Sequence, residues 1–385
     1  MVVRVRVEPA LLQWAVDRAG WSAATIESRA PRFHEWVSDA ARPTLKQLES
    51  FAHATHTPFG LLFLSEPPEE PMPIPDMRTL RNQRIGRPSV DLLDTIYSCQ
   101  SRQDWYREYA IAQGYPPVSF VGKATTSSDP VVVAAEIRGA LRFGLPDRRT
   151  FNSVEDAQRK MIDRIEDAGV LVMVSGIVGS DTHRKLNAEE FRGFALVDPL
   201  APLIFVNGAD TKAAQLFTMV HELAHVWLGG SALSDAAMAR SSDHGEELWC
   251  NQVAAEVLVP LVAIRSDYSG VLSQAELDRL ARLYRVSTLV VLKRLYDAGF
   301  LSWDDYRDRY SAEQSRIMAI LTAKRAEGGG GNYYNTHPLR LSRQFARAVI
   351  ADTVEGKTPY REAYQLLGTK KHQTFQNLAE EIGAA

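Results

Sequence analysis

Apolar residues recur along this chain in two periods. From Leu11 to Leu64 they come in short helical bursts. Leu11, Leu12, Ala15 and Val16 mark a helix over Glu8–Arg18. Further helices are predicted over Trp21–Ala30, Arg32–Ser38 and Leu45–Thr55, with Ser22 and Thr44 as N-caps, and Phe59–Leu64 as a last apolar turn. A long stripe through Leu93, Ile96, Tyr97, Trp105 and Tyr109 predicts a helix over Val90–Ala112. Pro116–Gly122 reads as a loop or short strand, and Asp129–Phe143 and Val154–Ala168 as helices. The character then changes: β-branched and apolar runs predict strands over Gly169–Ser175, Phe191–Asp198 and Leu203–Asn207, the last two a hairpin around Pro199–Pro202. Helical spacing returns in Ala214, Phe217, Val220, Ala224 and Trp227, with Asp210 or Thr211 as N-cap and Gly229-Gly230 as the stop. After Pro260 the chain reads as helical over Ser273–Tyr284, Val286–Ala298 and Trp303–Ala326. Beyond the Gly328–Gly331 break it is helical again over Arg340–Val354, Tyr360–Leu367 and Thr374–Ile382.

This order predicts an α+β protein in four parts. Residues 1–66 form a helical module of the phage-repressor helix-turn-helix type. Its recognition helix is Phe33–Asp39, with Arg32, His34 and Ser38 as candidate DNA-binding residues. Seven Lys and Arg in this module balance seven Asp and Glu, a poor grip on phosphate, so DNA binding and protein contact both stand as readings. Residues 67–88 are a linker whose PPEEPMPIP stretch favours extended polyproline II. Arg78, Arg81, Arg84 and Arg87 follow, as a solvated strap or a phosphate contact. Residues 89–300 hold the sheet and the chemistry, and 301–385 are a helical C-terminal region.

Composition narrows the picture. Apolar content of 45% and charged content of 24% are ordinary for a soluble globular protein, and a net charge of −3 gives no footprint for bulk nucleic-acid or anionic-membrane binding. The two cysteines, Cys99 and Cys250, make no disulfide framework, which points to a reducing cytoplasm. MVVRVRV is interrupted at Glu8 before it can act as a signal peptide, and no run approaches the ~20 apolar residues of a membrane span. A soluble, cytoplasmic protein with no membrane partner is expected.

The chemistry lies between Phe217 and Pro260. His221, Glu222 and His225 form His-Glu-x-x-His, and two residues four apart share one helix face. Both imidazoles can bind one cation, and Glu222 can reach a water at that cation. Tetrahedral Zn2+ needs a third ligand and an open position. Glu247 on a second helix offers the ligand, and Asn251, one turn on, can orient an imidazole. Cys250 is the alternative ligand, against its reading as a packed small residue. The mechanism expected has Glu222 as general base, passing the proton to the leaving amine of a cleaved peptide. His244, His183 and Arg192 are open candidates for the oxyanion donor. A small sheet ahead of this helix suits a peptidase, because an extended substrate can add to a sheet edge.

HELAH at His221–His225 and E-x-x-C-N-x-x-A-A-E-x-L-x-P at Glu247–Pro260 resemble the ImmA/IrrE family of bacterial zinc metallopeptidases. The family favours Ala, Phe and Met where Cys250, Val253 and Val259 stand, departures that leave the ligands intact. FRGFALVD and PLIFVN are similar to the family's sheet. PTLKQLESFA and FLSEPP look like the helix-turn-helix module often fused to it, and EGKTPYREAYQLLG is similar to the tails of such fusions. The resemblance implies a zincin-like, gluzincin-like domain with zinc held by His221, His225 and Glu247. It implies a repressor-type DNA-binding protein as substrate, in a stress, mobile-element or toxin–antitoxin setting with a toxin encoded nearby. Three classes compete: a peptidase of narrow specificity, a DNA-binding regulator or antitoxin whose zinc domain senses or holds a partner, and a structural zinc protein without turnover.

Overall fold

The computed structural model describes residues 3–76, 88–234, 245–326 and 339–383. The four arginines of the basic strap, His244 and the Gly328–Gly331 break lie outside the described residues. The chain divides into two units, residues 1–73 with 85–96 and residues 74–84 with 97–385.

Helices α1 (Pro9–Arg18), α2 (Ala23–Arg29), α3 (Phe33–Val37) and α4 (Leu45–Ala54) build the first unit, followed by a 3-10 turn at Phe59–Phe63. Local chemistry sets their starts. Ser22 Oγ accepts from Thr25 N–H, and Thr44 and Gln47 form a reciprocal capping box. The apolar positions close on one core of Leu11, Leu12, Leu48 and Leu62 around Phe33, Trp36 and Phe51. Each such side chain contributes roughly 1.5–3 kcal/mol by leaving water.

The second unit has a small mixed sheet inside helices, an α+β arrangement. Ahead of the sheet come α5 (Val90–Gln113), of which residues 97–113 belong to this unit, α6 (Pro130–Ala140), α7 (Leu145–Arg149) and α8 (Val154–Asp167). The strands are β1 (Leu171–Ser175), β2 (Ile177–Val178), β3 (Asp181–Lys185), β4 (Gly193–Leu196), β5 (Leu203–Asn207) and β6 (Ala232–Ser234). The main sheet has the order β1-β5-β4-β6. β1 runs parallel to β5, and β4 is antiparallel to both β5 and β6. The expected hairpin is β4–β5, with Phe194 facing Phe205 and Ala195 facing Ile204.

Some elements escape the sequence pattern. β6 has three residues, and the separate β2–β3 pair carries the polar run DTHRK, so neither shows an apolar alternation. Residues 116–122 form no strand. Their neighbourhood bonds to the end of a much later helix instead, where Gly122 N–H and Ala124 N–H donate to the carbonyls of Val226 and Trp227. That helix, α9 (Lys212–Leu228), is the centre of the unit. Every residue from Gln215 to Trp227 is buried, between β4 and β5 on one side and α8 and α10 (Gly245–Leu258) on the other. Phe120 stacks on Trp227 at 3.9 Å between ring centres. α11 (Leu261–Asp267), α12 (Gln274–Tyr284), α13 (Thr288–Asp297) and α14 (Trp303–Ala326) follow. α15 (Arg343–Val354), α16 (Tyr360–Leu366) and α17 (His372–Glu381) complete the tail. Among the described residues no single helix is long and apolar enough to cross a membrane.

Candidate metal centre

Both helices that carry the candidate ligands are fastened at their ends. Thr211, not Asp210, caps α9: its Oγ1 accepts from Ala214 N–H at 3.1 Å, while Asp210 Oδ1 accepts from Thr211 N–H. Gly229 closes the other end at φ 82°, where a Cβ would lie 2.9 Å from Gly122 Cα. α10 ends on arginines. Arg138 Nη1 donates to Glu256 O at 2.6 Å, Arg148 to the carbonyls of Val257 and Leu258, and Arg294 Nε to Val259 O at 2.7 Å. Arg294 also pairs with the Glu256 carboxylate. Cations on the carbonyl end of a helix oppose its negative pole, which stabilises it by up to ~2 kcal/mol where partly buried. Arg148 is fully buried, and burial draws its pKa down to about 9. Glu256, read from sequence only as part of a motif, therefore anchors the ligand helix.

Between these fastenings three side chains converge. His221 Nε2 and His225 Nε2 are 3.2 Å apart, His225 Nε2 and Glu247 Oε1 3.1 Å, and His221 Nε2 and Glu247 Oε2 3.3 Å. Ligands 2.0–2.2 Å from a tetrahedral ion stand roughly 3.3 Å from each other, so this triangle has the edge lengths a zinc-sized dication needs. All three residues are buried, and among the described residues they are the group able to hold a metal ion.

The electrostatics agree with a ligand set. Burial works to raise the Glu247 carboxyl, but His221 and His225 outweigh it and hold the group below the usual carboxylate range. Burial lowers His225 against the pull of Glu247, which favours the neutral, electron-donating imidazole. Glu222 is raised well above the ordinary value, first by burial and then by Glu247. His221 Nδ1, His225 Nδ1 and Glu222 Oε1 are buried with no hydrogen-bond partner among the described residues. A buried polar atom left so costs about 1–3 kcal/mol, and a cluster of them marks a place where something else binds.

Two residues at the centre were not found from sequence. Ser234 on β6 is fully buried, with Oγ 3.2 Å from His225 Nε2, 3.3 Å from Glu247 Oε1 and 3.4 Å from Glu222 Oε2. A lone serine in a three-residue strand carries no periodic signal. Gly193 on β4 presses against the site: a Cβ there would lie 2.6 Å from Thr218 Cγ2, 2.8 Å from Phe205 O and 2.9 Å from Glu222 Oε1. The glycine in FRGFALVD was the visible sign, but only packing shows what it faces.

The other candidates fall elsewhere. Among the described residues no hydrogen bond joins Asn251 to either imidazole, and its Oδ1 is itself buried without a partner. The Nδ1 atoms it was to hold are without a partner among the described residues as well. Cys250 is fully buried, outside the triangle, and burial holds its thiol protonated. His183 sits on exposed β3, its backbone N–H donating to Asp181 Oδ1. Arg192 pairs with Asp210 at 3.7 Å. In the first unit Arg32 is bound to Glu35 at 2.6 Å, and Ser38 Oγ donates to His34 O. The Glu35 carboxylate thus neutralises the one fixed cation of the three candidate DNA-binding residues.

Residues 165–296 match the family model of the IrrE N-terminal-like domain, Peptidase_M78, and residues 341–381 match a model described as a domain of unknown function (DUF8813). The first match runs from the end of α8 into α13 and contains all of the residues gathered at the triangle. It supports a metallopeptidase domain of the ImmA/IrrE kind there, and residues 1–66 lie outside both matches. No curated protein and no solved structure matches the chain.

Proposed function

We propose that this chain is a zinc-dependent endopeptidase of narrow specificity, acting on an extended segment of a regulatory protein of the repressor type. The observation that carries the reading is the buried triangle of His221, His225 and Glu247 with Glu222 Oε1 left unpartnered beside it. Zinc in that triangle would polarise a peptide carbonyl and lower the pKa of a bound water towards ~7. His221, His225 and Glu247 hold the ion. Glu222 takes the proton of the attacking water at Oε1 and returns it to the leaving amine.

The substrate's place is the outer edge of β6. Leu233 lies opposite Phe194 of β4, and its N–H turns the other way, to Pro75 O at 2.9 Å. Asp76 and Leu233 form a parallel bridge. An extended peptide adds to a sheet by such backbone bonds. The end of the proline-rich linker takes that place here, so a substrate must displace Pro75 and Asp76 to enter. Buried ligands and a covered edge both support narrow specificity.

The reading is tested with metal content and with Glu222→Gln. Wild type purified without added metal should carry about one zinc per chain. Glu222→Gln should keep that zinc and lose cleavage of a partner that wild type cuts, by at least about a hundredfold. A folded wild type that binds no zinc, or full cleavage by the Gln variant, would sink the proposal.

A further inference from the structure

The proposed mechanism uses Glu222 and three ligands and leaves one polar group of the centre without a task. Ser234 Oγ lies within 3.4 Å of His225 Nε2, Glu247 Oε1 and Glu222 Oε2. Its distances to His225 and Glu247 match the edges of the ligand triangle itself. The hydroxyl thus stands along the His225–Glu247 edge of the triangle, beside Glu222.

A hydroxyl has one proton to give. With an ion in the triangle, the lone pairs of His225 Nε2 and of the liganding Glu247 oxygen are directed at the ion and are poor acceptors. Glu222 Oε2 remains, but 3.4 Å is long against the 2.5–2.7 Å of a strong hydroxyl–carboxylate bond. Ser234 itself is fully buried. Its strand is held by the Gly193–Ser234 pairing with β4. A fixed, buried donor with no good acceptor is what a reaction that develops negative charge on oxygen needs.

Resting on the metal-site reading above, we infer that Ser234 is a further catalytic residue: its hydroxyl donates to the oxygen that enters the open corner beside Glu222. It fills the role for which His183, His244 and Arg192 were candidates. A hydrogen bond to a charged oxygen in such a site changes affinity about tenfold to a hundredfold.

The test needs no substrate. Acetohydroxamate, a small anion that binds zinc through oxygen, is titrated by calorimetry into the zinc-loaded full chain. Wild type is compared with Ser234→Ala, Ser234→Thr and Ser231→Ala. The last removes a nearby hydroxyl that accepts from Val197 N–H. Ser234→Ala should keep its zinc and bind acetohydroxamate about tenfold to a hundredfold more weakly. The Thr and Ser231 variants should bind like wild type. Should the Ala variant not fold, Ser234→Gly makes the same comparison. Unchanged affinity in zinc-loaded Ser234→Ala overturns this inference alone. Tighter binding overturns it too, since the hydroxyl would then have been filling the corner, and so does absence of binding to zinc-loaded wild type. Failure of wild type to hold zinc overturns the metal-site reading and this inference with it.

Discussion

Glu166 at the end of α8 and Glu222 in the middle of α9 are both taken out of water, and their surroundings differ in kind. Glu166 is 8% exposed and accepts from Ser342 Oγ and from the backbone N–H groups of Val172 and Arg343. Three donors serve its two oxygens, and the contact ties the start of the tail to the sheet domain. Glu222 is fully buried with one donor, Ser234 Oγ at 3.4 Å, and its Oε1 has none among the described residues. Both carboxyls are pushed up by burial, Glu166 to about 7. Titration alone would not tell them apart. Hydrogen bonding does: a buried polar group whose bonds are complete is a fastening, and one whose bonds are missing is kept for a ligand.

The contrast can be broken at several points. The largest effect is expected at the triangle. Glu247→Ala should weaken zinc binding by more than about a hundredfold, read by competition with a coloured chelator, since even groups behind the ligands cost ten- to a hundredfold. Equal affinity would mean that the ion sits elsewhere.

At Glu166 the expected signal is a pH dependence. The carboxyl titrates near 4.5 when unfolded and at about 7 when folded. Between those values the folded chain holds more protons, so this group's contribution is fully present below pH 4.5 and is lost as pH rises through 7. The loss amounts to as much as about 3 kcal/mol. Glu166→Gln cannot titrate. Its stability relative to wild type, from urea unfolding, should therefore improve by about that amount between pH 4.5 and 8. A flat difference would show that Glu166 is not the group assigned here.

Gly193→Ala should cost about 1–3 kcal/mol, because its Cβ would press on Thr218, Phe205 O and Glu222 together. It should also lower zinc affinity, whereas a change at Glu166 should not. The smallest effect is expected in the first unit. Thr44→Ala opens the α4 capping box and should cost about 1 kcal/mol, with zinc content unchanged.

Much of the helical architecture was legible because helix ends are local. Ser22, Thr44, Thr211 and Gly229 act on backbone groups a few residues away, and their chemistry is readable wherever they stand. α7 and α11, of five and seven residues, were not found from sequence, although α2 and α3 of the same lengths were. The triangle was legible for a related reason: His221 and His225 share a face by helical spacing alone. Asn251 shows the limit of that logic, since spacing puts it on the right helix and says nothing about whether its amide reaches an imidazole.

The sequence by itself determined the types and approximate ends of the long elements, the α+β order and the identity of the converging side chains. These follow from backbone bonds and side-chain periods spanning a few residues. Only the tertiary structure decided that Ser234 faces Glu222, that Gly193 makes room for it, and that Arg138, Arg148 and Arg294 hold the end of α10. It also decided that Pro75 covers the edge of β6. Each of these joins residues 12 to 158 positions apart. No local pattern encodes such pairs, because they are selected by packing and by the cost of leaving a buried polar group alone.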